Sequence, residues 1–122
     1  MKPYPIVHIE LSSTDPHKTG EFLKKVFGWE VETDKASDYV LFKTGPNLGG
    51  GIPAVDNKMY QPGDSLIYMG TDDIEATLAK VKSLGGKTLV PKTEIPQMGW
   101  FAIFEDAQGC RLALYTGMPS QP

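Results

Sequence analysis

The sequence predicts an α+β domain assembled from two βαβββ modules, a curved mixed sheet of half-barrel cups with a helix on the outer face of each. Three observations predict it. The order strand, helix, three strands can be read twice along 122 residues. Both predicted helices run from an Asp to a Gly thirteen positions later, Asp15 to Gly28 and Asp72 to Gly85. The segments between are short β-branched or aromatic runs bounded by Gly, Pro and Asn, the pattern of strands.

In the first module, Ile6-Val7-His8-Ile9-Glu10-Leu11 reads as a strand. Asp15-Pro16 opens a helix, because the Asp can accept a bond from an orphan N–H and Pro has no donor to lose there. Phe22, Leu23, Val26 and Phe27 supply the apolar stripe, and Gly28 ends the helix in a left-handed cap. Strands follow at 29–32 and 39–43 and, past the turn Gly45-Pro46-Asn47, at 49–55. In the second module 65–70 reads as a strand. Asp72 with Glu75 forms a capping-box pattern, and Ile74, Leu78, Val81 and Leu84 make the helical stripe before Gly85. Strands at 87–90, 100–104 and 111–115 complete it. The boundaries this implies are module one at 1–56, a linker at 57–63 around Asn57 and Pro62, and module two at 64–122.

Composition excludes several classes. A net charge of −3 with no basic stripe argues against nucleic acid as a partner. No run approaches the ~20 apolar residues of a membrane span, and no signal-peptide segment precedes the first strand. Cys110, the single cysteine, permits no internal disulfide and fits a reducing compartment. The expectation is a cytoplasmic domain. Each module buries one sheet face under its helix, and the other face must curl around something or meet a second half. A curled sheet with an uncovered concave face makes a pocket.

The chain resembles the vicinal oxygen chelate superfamily of glyoxalases, bleomycin-resistance proteins and extradiol dioxygenases. The residues that carry the resemblance are His8-Ile-Glu-Leu-Ser-Ser-Thr-Asp-Pro with a helix ending Val-Phe-Gly-Trp, then Thr-Asp-Asp-Ile-Glu-Ala through Leu-Gly-Gly-Lys, then Phe-Glu-Asp-Ala-Gln-Gly-Cys-Arg-Leu-Ala-Leu-Tyr. The resemblance implies a metal ligand on the first and last strand of each half. His8 matches, whereas the other positions fall near Gly51 and on Leu66 and Ala113. A transition-metal site needs at least three protein donors, so no metal or other cofactor is expected here.

His8 and Glu10 are the candidate catalytic pair. Spacing of two puts both on one strand face, and alternation with Ile9 and Leu11 makes that the pocket face. A hydrogen-bonded strand histidine or a solvated ion pair is the plainer alternative. At an open cup the carboxylate should outweigh desolvation and hold the His8 pKa above about 6.5. Arg111 and Tyr115 share parity with Ala113, and Tyr68 with Leu66. With Trp100 they would form an aromatic wall with one cation, the ligand-binding candidates for a planar, polar-edged small molecule. Packing of Trp100 and Tyr115 at a dimer surface is the alternative. Cys110 is expected to be buried against the helix, His17 to be solvated, and Gly49-Gly50-Gly51 to mark a kink or a backbone close to a ligand.

The function these residues suggest is small-molecule binding, by sequestration or with metal-free proton transfer, in a homodimer whose concave edges a symmetric copy closes. The alternatives are a metal-dependent lyase or isomerase of the glyoxalase I type, and a non-catalytic interaction subunit.

Overall fold

The computed structural model describes residues 4–118. They form two compact units, one spanning Val7–Ile67 and the other made of the remaining residues before and after it. Apart from Ile6, the first unit contains β1 (Ile6–Leu11), α1 (Pro16–Phe27), β2 (Glu30–Asp34), β3 (Tyr39–Lys43) and β4 (Gly49–Ile52). The second follows the same plan with β5 (Ser65–Gly70), α2 (Ile74–Ser83), β6 (Lys87–Ile95), β7 (Gly99–Glu105) and β8 (Arg111–Gly117), the chain passing into it at Tyr68. The predicted α+β order of two βαβββ modules is the observed one.

In the first unit the strands lie in the order β2-β3-β4-β1. β1 pairs parallel with β4, and the other neighbours pair antiparallel. In the second the order is β5-β8-β7-β6, again with one parallel pair, β5 with β8. A parallel pair needs a crossover long enough to return the chain, which each module supplies with its helix and the strands that follow.

Each helix buries one sheet face. Leu23 of α1 packs with Val40, Phe42 and Ile52, and Leu11, Trp29 and Val31 join from the edge. Ile74 of α2 packs with Ala102, Phe104 and Leu114, with Met69, Leu78, Val81 and Trp100 around them. At about 25 cal/mol per Å² of apolar surface removed from water, such clusters are the main force holding each helix down.

α1 is capped as predicted. The Asp15 carboxylate accepts from the Lys18 N–H at 3.2 Å, Pro16 opens the helix, and Gly28 at φ 72° donates its N–H to the Lys24 carbonyl. In α2 the cap is Asp73, one residue later than the capping-box pattern placed it. Its carboxylate accepts from the Ala76 N–H at 2.9 Å, and its own N–H donates to the Thr71 hydroxyl at 3.1 Å. The Thr71 turn selects which of two adjacent aspartates meets the helix end.

Other departures are at boundaries. β6 continues past Pro91 to Ile95, with register irregularities on both sides of Val90. β6 is the outer strand of its unit, where a missing N–H costs no ladder bond and bulges absorb the proline. β4 stops at Ile52 before Pro53, and only an isolated bridge, Ser13 to Ala54, continues the pairing. Cys110 is exposed, not buried against the helix, because its N–H is taken by the Asp106 carboxylate in the turn before β8.

Candidate functional site

Alternation in the first unit leaves one sheet face free of the helix. Leu11, Val40, Phe42 and Ile52 face α1. His8 and Glu10 on β1 and Tyr39 and Leu41 on β3 therefore face the other way, with Gly51 of β4 lying between Glu10 and Leu41 in register. This is the face on which sequence alternation placed His8 and Glu10.

What alternation did not show is how they are joined. The Tyr39 hydroxyl donates to Glu10 Oε2 at 2.6 Å and lies 3.0 Å from His8 Nε2. The Tyr60 hydroxyl donates to Glu10 Oε1 at 2.9 Å. Glu10 is 7% exposed, so its carboxylate is among the few buried polar groups, and two phenols serve its oxygens. The site is thus a chain His8–Tyr39–Glu10–Tyr60 in which tyrosine stands between the pair that was expected to touch.

The glycines of β4 make this geometry available. A Cβ built on Gly51 would overlap the Tyr39 ring and hydroxyl, and one on Gly50 would overlap the Ile9 carbonyl. The glycine run does mark close approach, but to the chain's own tyrosine and backbone. Tyr60 is held by local bonds as well. Asp56 accepts from the Lys58 and Tyr60 N–H groups at 2.8 and 3.0 Å, while the Tyr60 carbonyl accepts from the Asp56 and Asn57 N–H groups. The Tyr60 and Lys58 amides hold the Asp56 carboxyl below its ordinary value.

Burial pushes the His8 imidazole below 6.5, and the Glu10 charge opposes this without overcoming it. The expectation of a raised His8 pKa is therefore corrected: with Tyr39 interposed, Glu10 acts on the ring from a distance, while desolvation acts directly. Burial, then the Glu10 charge, push the Tyr39 phenol well above its ordinary range.

An open groove of about 1050 Å³ runs along this unit, with His8, Trp29, Glu30, Leu41, Thr44 and Gly49 among its walls. Phe27, Trp29 and Phe42 stack in series there, with centroids 5.0 and 5.2 Å apart.

Of the remaining predicted site residues, all in the second unit, Tyr68, Arg111 and Tyr115 share one sheet face by register and Trp100 lies on the other. Tyr68 is buried next to Ala113 in register, Arg111 is half-buried opposite Glu105, and the Tyr115 hydroxyl donates to the Met98 carbonyl at 2.7 Å. Trp100 packs on the helix side with Ala102 and Phe104, and Lys92 Nζ sits 5.3 Å from its ring centre. It therefore faces away from Tyr115, and Phe101, in register with Tyr115, takes the place assigned to it. Strand parity contained this result, since 100, 102 and 104 alternate with 101 and 103. Tyr39 and Tyr60 were not anticipated. Tyr39 had one signal, its parity with Leu41 and through it Gly51, because an aromatic ring covering a strand glycine is a recurrent pairing. Tyr60 had only its place as an aromatic in a polar linker.

The family model described as Glyoxalase/Bleomycin resistance protein/Dioxygenase superfamily matches residues 5–114. The chain belongs to this superfamily. The Mycobacterium bovis protein named "Putative glyoxylase CFP32" is 28% identical over 120 residues, covering 92% of this chain and 44% of that protein. The Streptomyces peucetius "Anthracycline biosynthesis protein DnrV" is 25% identical over 122 residues, covering 87% and 44%. The chain spans less than half the length of these curated relatives. Methylmalonyl-CoA epimerase from Mycobacterium tuberculosis shares the fold, with a TM-score of 0.69 at 14% identity over 93% of this chain and 88% of that one.

For the glyoxalase superfamily the resemblance implies a metal, and the residues at the implied positions do not fit one. Leu66 and Ala113 are buried and have no donor atom, a side chain at Gly51 would collide with Tyr39, and His8 Nε2 already meets the Tyr39 hydroxyl. Among the described residues, no three His, Cys, Asp or Glu side chains gather as a candidate metal site.

Proposed function

We propose that this glyoxalase-superfamily chain binds an organic small molecule in the groove beside His8, without a metal. The observation that carries the reading is the buried chain of hydrogen bonds behind His8, which fixes that side chain in the wall of a groove lined by aromatic rings, polar side chains and backbone. Small-molecule sites share aromatic walls, oriented polar groups and a volume of roughly 300–1,000 Å³ with this groove. His8, neutral and oriented, can accept a proton or a hydrogen bond from such a ligand. Glu10, engaged by two phenols, serves to orient the ring and is no longer the reacting base of the pair.

The reading extends to a homodimer. Phe22, Val26 and Phe27 of α1 are each more than half exposed, apolar surface that a symmetric copy would cover. Native mass spectrometry of freshly purified protein reads retained ligand and oligomer together, and amide shift mapping with a fragment library locates binding. Fragment-induced shifts clustered at His8, Thr44 and Gly49, in a particle of twice 13.4 kDa, are the expected result. Shifts confined to surfaces outside the groove would overturn the ligand site, and a 13.4 kDa particle at all micromolar concentrations would overturn the dimer.

A further inference from the structure

Counting donors along the chain fixes the protonation pattern of His8. A phenol has one hydrogen, and the Tyr39 hydrogen is committed to the Glu10 carboxylate at 2.6 Å. At the 3.0 Å contact with His8 the Tyr39 oxygen can therefore only accept, so Nε2 is the donor. A neutral ring that donates from Nε2 carries its one lone pair on Nδ1. A bond from phenol to carboxylate is charge-assisted and stronger than the neutral alternative, so the pattern is held from the Glu10 end.

We infer that Tyr39 is the specificity-determining residue of this site. It fixes His8 as the Nε2–H tautomer, with the lone pair on Nδ1, and withdraws Nε2 from any divalent cation. Such an imidazole is matched to an organic ligand and not to a metal, since a metal at Nε2 would have to displace both the proton and the phenol. Gly51 belongs to the same device, because the Tyr39 ring can lie there only where no side chain exists. The inference deepens the proposed function and rests on it only in taking His8 as a ligand-facing group.

Its test needs no ligand, so the two can fail separately. Long-range ¹H–¹⁵N correlation at pH 8 reads the tautomer of His8, with His17→Gln used for assignment. The wild type should show a protonated Nε2 and an unprotonated Nδ1. In Tyr39→Phe that preference should fall about tenfold or more, the worth of a hydrogen bond in a charge-assisted chain. Glu10→Gln, which replaces the charged acceptor, should weaken it in the same direction and serves if Tyr39→Phe does not fold. Zn²⁺ added alone should leave the wild-type His8 Nε2 signal in place. A wild-type Nδ1–H tautomer, a preference unchanged in both variants, or a wild-type Nε2 signal that zinc displaces would overturn the inference.

Discussion

At the residue scale the decisive contest is between desolvation and charge at His8. Burial disfavours imidazolium and the Glu10 carboxylate favours it, and burial prevails because Tyr39 stands between them. The expected outcome is a His8 pKa below 6.5, read by NMR titration, with Glu10→Gln lowering it further because the opposing charge is gone. A His8 pKa above that of a free imidazole, or one that rises in Glu10→Gln, would refute this account of the site. The same residues show how far strand parity reaches. It put His8 and Glu10 on one face correctly, because alternation is a property of the backbone. It could not show the phenol between them, since Tyr39 comes from a strand two positions away across the sheet.

At the element scale the two helices test local signals against each other. Asp15-Pro16 and Gly28 left α1 no other frame, and its cap is where the sequence put it. α2 begins with two adjacent aspartates, and the choice of Asp73 depends on Thr71 binding the Asp73 N–H. Asp73→Ala should cost about 1 kcal/mol of unfolding free energy, the usual worth of an N-cap, while Asp72→Ala should cost a few tenths at most. Urea denaturation of both variants decides the matter, and equal losses would return the capping box to Asp72. The strand ends follow a similar rule. β6 was expected to stop before Pro91, and it continues because an outer strand tolerates a residue without an N–H.

At the scale of the whole molecule, the lowered His8 pKa becomes a statement about stability. A histidine whose folded pKa lies below its unfolded value binds fewer protons when folded, so its contribution is fully present above about pH 6.5 and is lost as pH falls through the folded value. Asp56, also lowered, contributes in the same sense in a more acid window, present above 3.8 and lost as pH falls through its folded value. Unfolding free energy measured in urea should therefore be level with respect to His8 from pH 8 to 6.5 and decline below it. In His8→Gln that first decline should be shallower, with the more acid loss retained. Identical slopes in the two proteins between pH 6.5 and 5 would show that His8 titrates alike in the folded and unfolded chain.

Element order, the frame of α1, superfamily and the facing of His8 and Glu10 were legible in the one-dimensional pattern, because each depends on neighbours a few positions apart: caps, turns, and periods of 2 and 3.6 residues. The joining of His8 to Glu10 through Tyr39 and the seating of Tyr60 on Glu10 from a loop fifty residues on depend on which strands lie side by side. So does the sign of the His8 shift, since desolvation is set by everything packed around a group and the sequence pattern records only what is bonded near it.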